Sequence, residues 1–289
     1  MRKNEPIFVS VFIQSYNHEH YVKAAIESVL RQSYQNFELL IIDDGSTDNS
    51  QAIIQKVVQT NPDKIGYLNL RENIGLTGTY NEAIKHLQGD LFVAISSDDL
   101  LQEDALQKRV RYMVGHPDVD LFAADFDVVM GGRIYRGALK LRIVPQFTGQ
   151  FRIDYAKIYE ELLSGNFIQE CALSFNLRNI DKTSIFYDDE CPNLSDYDQL
   201  LRLSRKYRWG FLPEPVVIYR WHGRNISCEE NPGYDSKNVA IQKLYILQKQ
   251  LMLPQLDTAK KIINSTMSEL KEQLEMHQPS SPNLNLTDT

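Results

Sequence analysis

Two adjacent carboxylates close an apolar run at Phe92-Val-Ala-Ile-Ser-Ser-Asp98-Asp99. Side by side they repel one another, and they are costly at the mouth of a sheet unless something positive sits beside them. Binding a divalent cation or the hydroxyls of a ligand is the chemistry that would place them there. The structural alternative is a helix start, with Asp98 or Asp99 capping a helix over Gln102-Glu-Asp-Ala-Leu-Gln-Lys-Arg. The elements that carry these residues must decide.

Ile7 to Ile13 is a short β-rich run ending in Gln14-Ser-Tyr-Asn-His, and Tyr21 to Gln32 then places Ala25, Ile26, Val29 and Leu30 at helical spacing. The unit repeats: a strand from Phe37 to Ile42, a loop at Asp43-Asp-Gly-Ser-Thr-Asp48, and a helix from Ser50 to Thr60. Successive strand, loop and helix units predict a parallel sheet. Ile65 to Leu70 supplies a third strand, Thr77 to Leu87 a third helix and Asp90 to Ile95 a fourth strand. Ligands of open α/β sheets sit outside the carboxyl ends of the strands, so both acidic loops are expected on one edge. Beyond Gly115, Gly131-Gly132 separates Leu121–Met130 from Arg133–Lys140 and predicts an antiparallel hairpin. Gln146 to Gly149 reads as a loop, Tyr155 to Ser164 and Asp198 to Lys206 as helices, and Val216 to Arg220 as a strand. Asp235 to His277 reads as helix broken near Pro254, and the polar Gln278 to Thr289 as a disordered tail.

The composition excludes several classes. At 289 residues with 43% hydrophobic side chains the chain is long enough for an enzyme core, and a net charge of -7 with pI near 5.4 gives no nucleic-acid footprint. Cys171, Cys191 and Cys228 form no CxxC pair and are read as thiols. Neither a signal peptide nor a run of ~18 to 20 apolar residues is evident. A cytoplasmic location is expected, with the inner face of the membrane within reach.

Several motifs in order resemble the family 2 glycosyltransferases of the GT-A fold, over roughly residues 7 to 227. They are Val9-Ser-Val-Phe-Ile-Gln-Ser-Tyr-Asn17, Asp43 to Asp48, Glu72-Asn-Ile-Gly75 through Asn81, Ser96-Ser-Asp98-Asp99, Leu194-Ser-Asp196-Tyr-Asp198-Gln-Leu-Leu-Arg202 and Tyr219-Arg-Trp-His222-Gly-Arg224-Asn-Ile-Ser227. The resemblance implies an α/β fold with a Rossmann-like, mostly parallel sheet flanked by helices, followed by a C-terminal helical extension. Residues 1–115 would be the nucleotide-sugar half of one domain, 116–227 its acceptor and catalytic-base half, 228–277 the extension and 278–289 the tail.

The resemblance further implies an inverting transferase that uses a nucleotide-sugar, a UDP-sugar above all, with Mn2+ or Mg2+. Its acceptor would be a saccharide or lipid-linked glycan. Gln14, Tyr16, Asn17, Asp44, Asn73, Asp98 and Arg224 would contact the donor: Tyr16 stacking on the base, Asp44 accepting from the uracil ring N–H and Asp98 facing the ribose. Asp99 and His222 would hold the cation, and Asp196 would be the catalytic base. Asp198 is the strongest competitor to Asp196, within an acidic run that also holds Asp188, Asp189 and Glu190.

Two positions depart from the pattern. Ser96 stands where many relatives carry a carboxylate, and Tyr80 where a basic residue is frequent, leaving Arg224 or Arg220 to balance the diphosphate. A non-catalytic sugar-nucleotide-binding protein of the same fold is the alternative that Ser96 supports. A dinucleotide-dependent oxidoreductase is disfavoured because no GxGxxG follows the first strand, and a nucleotidyltransferase fits the His222 motif poorly. Val239, Leu244, Leu247 and Leu251, then Ile262, Ile263, Leu270 and Leu274, recur near helical spacing with interleaved lysines. That stripe suits packing, self-association or an in-plane membrane contact.

Overall fold

The computed structural model describes residues 5–138, 158–225, 234–254 and 257–276. The predicted loop at Gln146, the tail from Gln278 and Cys228 lie outside the described residues. The first half follows the predicted alternation: β1 (Val9–Ser15), α1 (Val22–Leu30), β2 (Phe37–Asp43), α2 (Ser50–Thr60), β3 (Ile65–Asn69), α3 (Gly75–His86) and β4 (Leu91–Ser96). Then come β5 (Leu100–Leu101), α4 (Ala105–Gly115), β6 (Leu121–Met130), β7 (Arg133–Tyr135), α5 (Ile158–Ser164), β8 (Leu173–Asn176), α6 (Ser195–Ser204), β9 (Trp209–Trp221), α7 (Ser236–Leu251) and α8 (Asp257–Met276). The helix over Gln102 to Arg109 begins only at Ala105, behind Asp104, so neither Asp98 nor Asp99 caps it.

One sheet runs in the order β3-β2-β1-β4-β8-β6-β9-β5, with β7 on β6. The pairs β3–β2, β2–β1 and β1–β4 are parallel, β8 is antiparallel to both β4 and β6, and β6 and β9 are parallel. Strands buried on both faces need continuous apolar runs, and Val9, Val11, Ile13, Leu91, Phe92 and Val93 are all sealed from solvent. Helix α1 lays Val22, Ala25, Ile26 and Val29 on the sheet, following the 3.6-residue spacing. The hairpin predicted at Gly131-Gly132 is present, with Val129 opposite Ile134 and both glycines at positive φ.

Much of the apolar surface of the C-terminal helices packs within the chain, while Ile241, Met252 and Leu253 stay exposed. Ile246, Leu247, Ala259 and Ile263 are buried in the same core as the sheet. No helix among the described residues is long and apolar enough to cross a membrane. An ionic knot joins this extension to α6: Lys249 Nζ lies 2.5 Å from Asp188 and 2.8 Å from Asp198, whose other oxygen takes Arg202 Nε at 2.7 Å. The Gln242 side chain accepts the Asn193 backbone N–H at 2.9 Å, closing the same loop. Asp188, Cys191 and Asp198 could in geometry ligate a metal, their ligand atoms lying within 4.8 Å of one another. The Lys249 ammonium already neutralises that site. Removing it in Lys249→Met leaves Asp188 and the buried Asp198 short of a cation and is expected to lower stability by about 1–3 kcal/mol. Thermal or urea unfolding checks this, with Lys249→Arg expected to retain most of the stability.

Candidate functional site

The parallel register assembles the first part of the site. Ser15 pairs with Asp43 and Gln14 with Ser96, so β1, β2 and β4 end side by side. The ladder continues past the strands, with Asp44 N–H on Ser15 O at 2.8 Å and Ser97 N–H on Gln14 O at 3.1 Å. Tyr16, 42% exposed, offers an open ring at this edge. Asn17 takes φ of 53°, a left-handed conformation that Asn tolerates, and its Oδ1 accepts Thr47 N–H at 2.8 Å. Its amide therefore ties the first loop to the second. Asp44 is buried and its Oδ1 accepts Ile74 N–H at 2.7 Å; burial pushes its carboxyl up, against the pull of the Ile74 and Gly75 N–H groups. A Cβ at Gly45, φ +71°, would meet Asn73 N at 3.0 Å, so only glycine lets the segment bearing exposed Asn73 close over the second loop.

The two carboxylates that open the question are both withdrawn from solvent, Asp98 at 6% and Asp99 at 1% exposure, and they point to different partners. Asp99 Oδ1 accepts the Arg220 backbone N–H at 3.0 Å. Burial drives its carboxyl well above the usual range, the Asp98 charge adds to this, and the Arg220 N–H and guanidinium oppose it. Asp98 Oδ2 instead lies 3.1 Å from His222 Nε2, 3.4 Å from Asn225 Nδ2 and 3.9 Å from His18 Nε2. The carboxylate nearest His222 is thus Asp98; the family resemblance implies the cation at Asp99 and the ribose at Asp98.

Strand β9 makes this possible. Leu100 and Leu101 pair with Ile218 and Val217, which turns the end of β9 back along Asp99 and Asp98. Arg220 Nε donates to the Asp98 carbonyl and its guanidinium lies 5.1 Å over the Tyr21 ring. Tyr21 in turn stacks on His222 at 4.7 Å, and Asn225 Oδ1 accepts His222 N–H at 3.0 Å. Arg224 is exposed beside this turn, with its backbone N–H 3.3 Å from His222 Nδ1. His18 was not singled out from sequence; its Nδ1 meets Ser97 Oγ at 2.7 Å. Its one signal was its place directly after Asn17. Tyr80, by contrast, is buried and stacked on Tyr187 at 3.8 Å, so it belongs to the core and not to the open edge.

Asp196 and Asp198 separate cleanly. Asp198 is committed to Arg202 and Lys249. Asp196, in the first turn of α6, accepts Asn166 Nδ2 at 2.8 Å and its own neighbour's N–H, that of Tyr197, at 2.7 Å. Burial raises its carboxyl, with those two donors pulling the other way. A carboxylate oriented by an amide and made more basic by its surroundings is suited to removing a proton. Asn166, whose Oδ1 also accepts Ile168 N–H at 3.0 Å, carried no motif that would mark it in sequence.

Glu170 also escaped the sequence reading. Burial pushes its carboxyl up to about 7, Tyr187 opposing and the Asp196 charge adding to the shift. An acid raised in the fold keeps its proton there after the unfolded chain has lost it, so stability falls as pH rises between the ordinary glutamate range and about 7. Glu170→Gln removes this dependence. Relative to wild type it is expected to gain about 1–3 kcal/mol of unfolding free energy between pH 5 and pH 8. A difference that stays flat over that range would contradict the assignment.

Comparison with known proteins bears on the family of the chain. The family described as Glycosyl transferase family 2 matches residues 10–180, more than half of the chain. An uncharacterized glycosyltransferase of Rickettsia conorii is 27% identical over 245 residues, covering 82% of this chain and 39% of its own length. The chain therefore spans well under half of that relative. The Escherichia coli UDP-Glc:alpha-D-GlcNAc-diphosphoundecaprenol beta-1,3-glucosyltransferase WfgD is 29% identical over 150 residues, 52% of this chain and 54% of the relative. Among solved structures, S. aureus TarS 1-349 in complex with UDP-GlcNAc is similar with a TM-score of 0.65 at 18% identity, over 94% of this chain and 74% of that one. That likeness shows the GT-A fold. With the family match over most of the nucleotide-side motifs, the chain belongs to glycosyl transferase family 2.

Proposed function

We propose that this chain is an inverting, metal-dependent glycosyltransferase that moves a sugar from a UDP-sugar to a saccharide or lipid-linked acceptor in glycan biosynthesis. The observation that carries the reading is the approach of Asp98 Oδ2 to His222 Nε2 at 3.1 Å, at the carboxyl edge of the parallel strands. An aspartate oxygen beside an imidazole nitrogen is a donor set that Mn2+ accepts, whereas Mg2+, which prefers oxygen donors, would rest mainly on Asp98. These two residues would hold the cation, which when bound supplies positive charge to the departing diphosphate. Asp99, engaged with Arg220, becomes a brace, and exposed Ser96 replaces Asp98 as the group facing the ribose. The names of WfgD and of the TarS complex carry UDP-Glc and UDP-GlcNAc, which supports a UDP-sugar donor.

The chain's own groups then divide the work. Tyr16 stacks on the uracil, and Asp44 offers it the oxygen that Ile74 does not occupy. Gln14, Asn17 and Asn73 shape the nucleotide edge, and Arg224 with Arg220 adds positive charge beside the diphosphate. Asp196 takes the proton from the acceptor hydroxyl as its oxygen attacks the anomeric carbon from the face opposite the diphosphate. The bond to the leaving oxygen breaks on the other side, and the configuration inverts. Residues up to 115 form the nucleotide-sugar half and residues 116–227 the acceptor and catalytic-base half, with the turn bearing Arg220, His222 and Arg224 reaching back to the diphosphate.

UDP release from UDP-glucose or UDP-GlcNAc tests the reading. Turnover is expected to stop with EDTA and to return with Mn2+ or Mg2+. Asp196→Asn is expected to lower kcat by about 100- to 10,000-fold while UDP affinity changes little. A wild-type protein that binds UDP but never turns over a nucleotide-sugar would favour the binding-protein alternative.

A further inference from the structure

A cavity of about 230 Å3 opens on one face of β6 and β9, walled by Phe126, Val128, Tyr219 and Trp221 from the strands and by Phe167 and Gln169 from the loop after α5. The strand residues share a face because side chains alternate: Val128 pairs with Tyr219 and Met130 with Trp221, while Arg220 between them turns to the Asp98 carbonyl on the other side. Trp221 directly precedes His222. At the other end of the cavity, Phe167 and Gln169 flank buried Ile168 and follow Asn166, whose amide orients Asp196 at 2.8 Å. Every lining residue comes from the half of the chain after residue 125, and none from β1, β2 or β4.

We infer that this cavity is the acceptor subsite and seats one pyranose ring of the acceptor glycan against its aromatic walls. The inference rests on the proposed transferase reading and adds the place and class of its second substrate. A pyranose has an apolar C–H face and a rim of hydroxyls. Aromatic rings cover the former by contact, and the Gln169 amide can pair with the latter. Size argues the same way: the volume falls below the ~300–1,000 Å3 of pockets that take drug-sized ligands, so it suits one ring and not an extended isoprenoid chain. Trp221 directly precedes His222 and Phe167 directly follows the Asn166 that orients Asp196, so a ring seated here would lie between the segments that carry the proposed cation site and the proposed base.

Trp221 reports on occupancy, since the only other tryptophan, Trp209, is buried. Fluorescence titration of the full chain with methyl β-D-glucopyranoside, methyl N-acetyl-β-D-glucosaminide and farnesyl phosphate is the test, on wild type, Phe167→Ala and the cavity-filling Val128→Phe. UDP-sugar hydrolysis and UDP affinity are measured on the same samples. The expected result is saturable binding of a methyl glycoside, weakened at least 10-fold in both variants, with their UDP affinity within 2-fold of wild type. Where Phe167→Ala fails to fold, Val128→Phe decides alone. Glycoside binding that ignores both substitutions, no glycoside response at all, or a response to farnesyl phosphate alone would overturn the subsite. A substitution-sensitive glycoside response without any UDP-sugar hydrolysis would instead leave the subsite standing and remove the transferase reading.

Discussion

Everything at the open edge depends on how two neighbouring, nearly buried carboxylates avoid each other. Asp98 and Asp99 cannot both be charged and unpartnered in so little water. The turn that follows β4, closed by Asp99 N–H on Ser96 O at 3.0 Å, separates them, sending Asp99 to the Arg220 N–H and Asp98 toward His222, Asn225 and His18. That solution requires a strand more than a hundred residues away to finish beside β4. The two-residue pairing of β5 with β9 sets that position, and the Arg220 guanidinium lies across the Asp98 carbonyl and the Tyr21 ring to hold it.

The same long-range logic governs the second half. Asp198 is taken by Arg202 and Lys249, which leaves Asp196, two residues before it, as the candidate base. The lysine comes from α7, beyond the last recognisable motif, so the extension contributes to the site through an ion pair and not through chemistry. Asn166 then fixes the remaining carboxylate, and its loop turns Phe167 and Gln169 toward the cavity on the β6–β9 face. One loop thus joins the proposed base to an aromatic wall.

The parallel half was legible because its signals are local: Val9 to Ile13 and Leu91 to Ile95 are apolar runs whose ends name the ligand edge, and the loop at Asp43 follows its strand directly. The family motifs singled out Asp44, Asp196 and His222 as candidates. The different partners of Asp98 and Asp99 were not legible, since which face of the chain meets β9 depends on register across the sheet. His18, Asn166, Glu170 and Asn225 were missed for the same reason. Each acts through a partner distant in sequence, as His18 does with Ser97 and Asn166 with Asp196. Tyr80 looked like a lost diphosphate contact and proved to be a buried ring stacked on Tyr187.

The central claim is that Asp98 and His222, with Asp99 as a brace, form the cation site. Mn2+ binding followed by electron paramagnetic resonance in the presence of UDP tests it most directly. Asp98→Asn and His222→Gln are expected to weaken Mn2+ binding at least about 10-fold, while folded Asp99→Asn keeps affinity near wild type. Loss of Mn2+ binding in Asp99→Asn with full retention in Asp98→Asn would contradict the account.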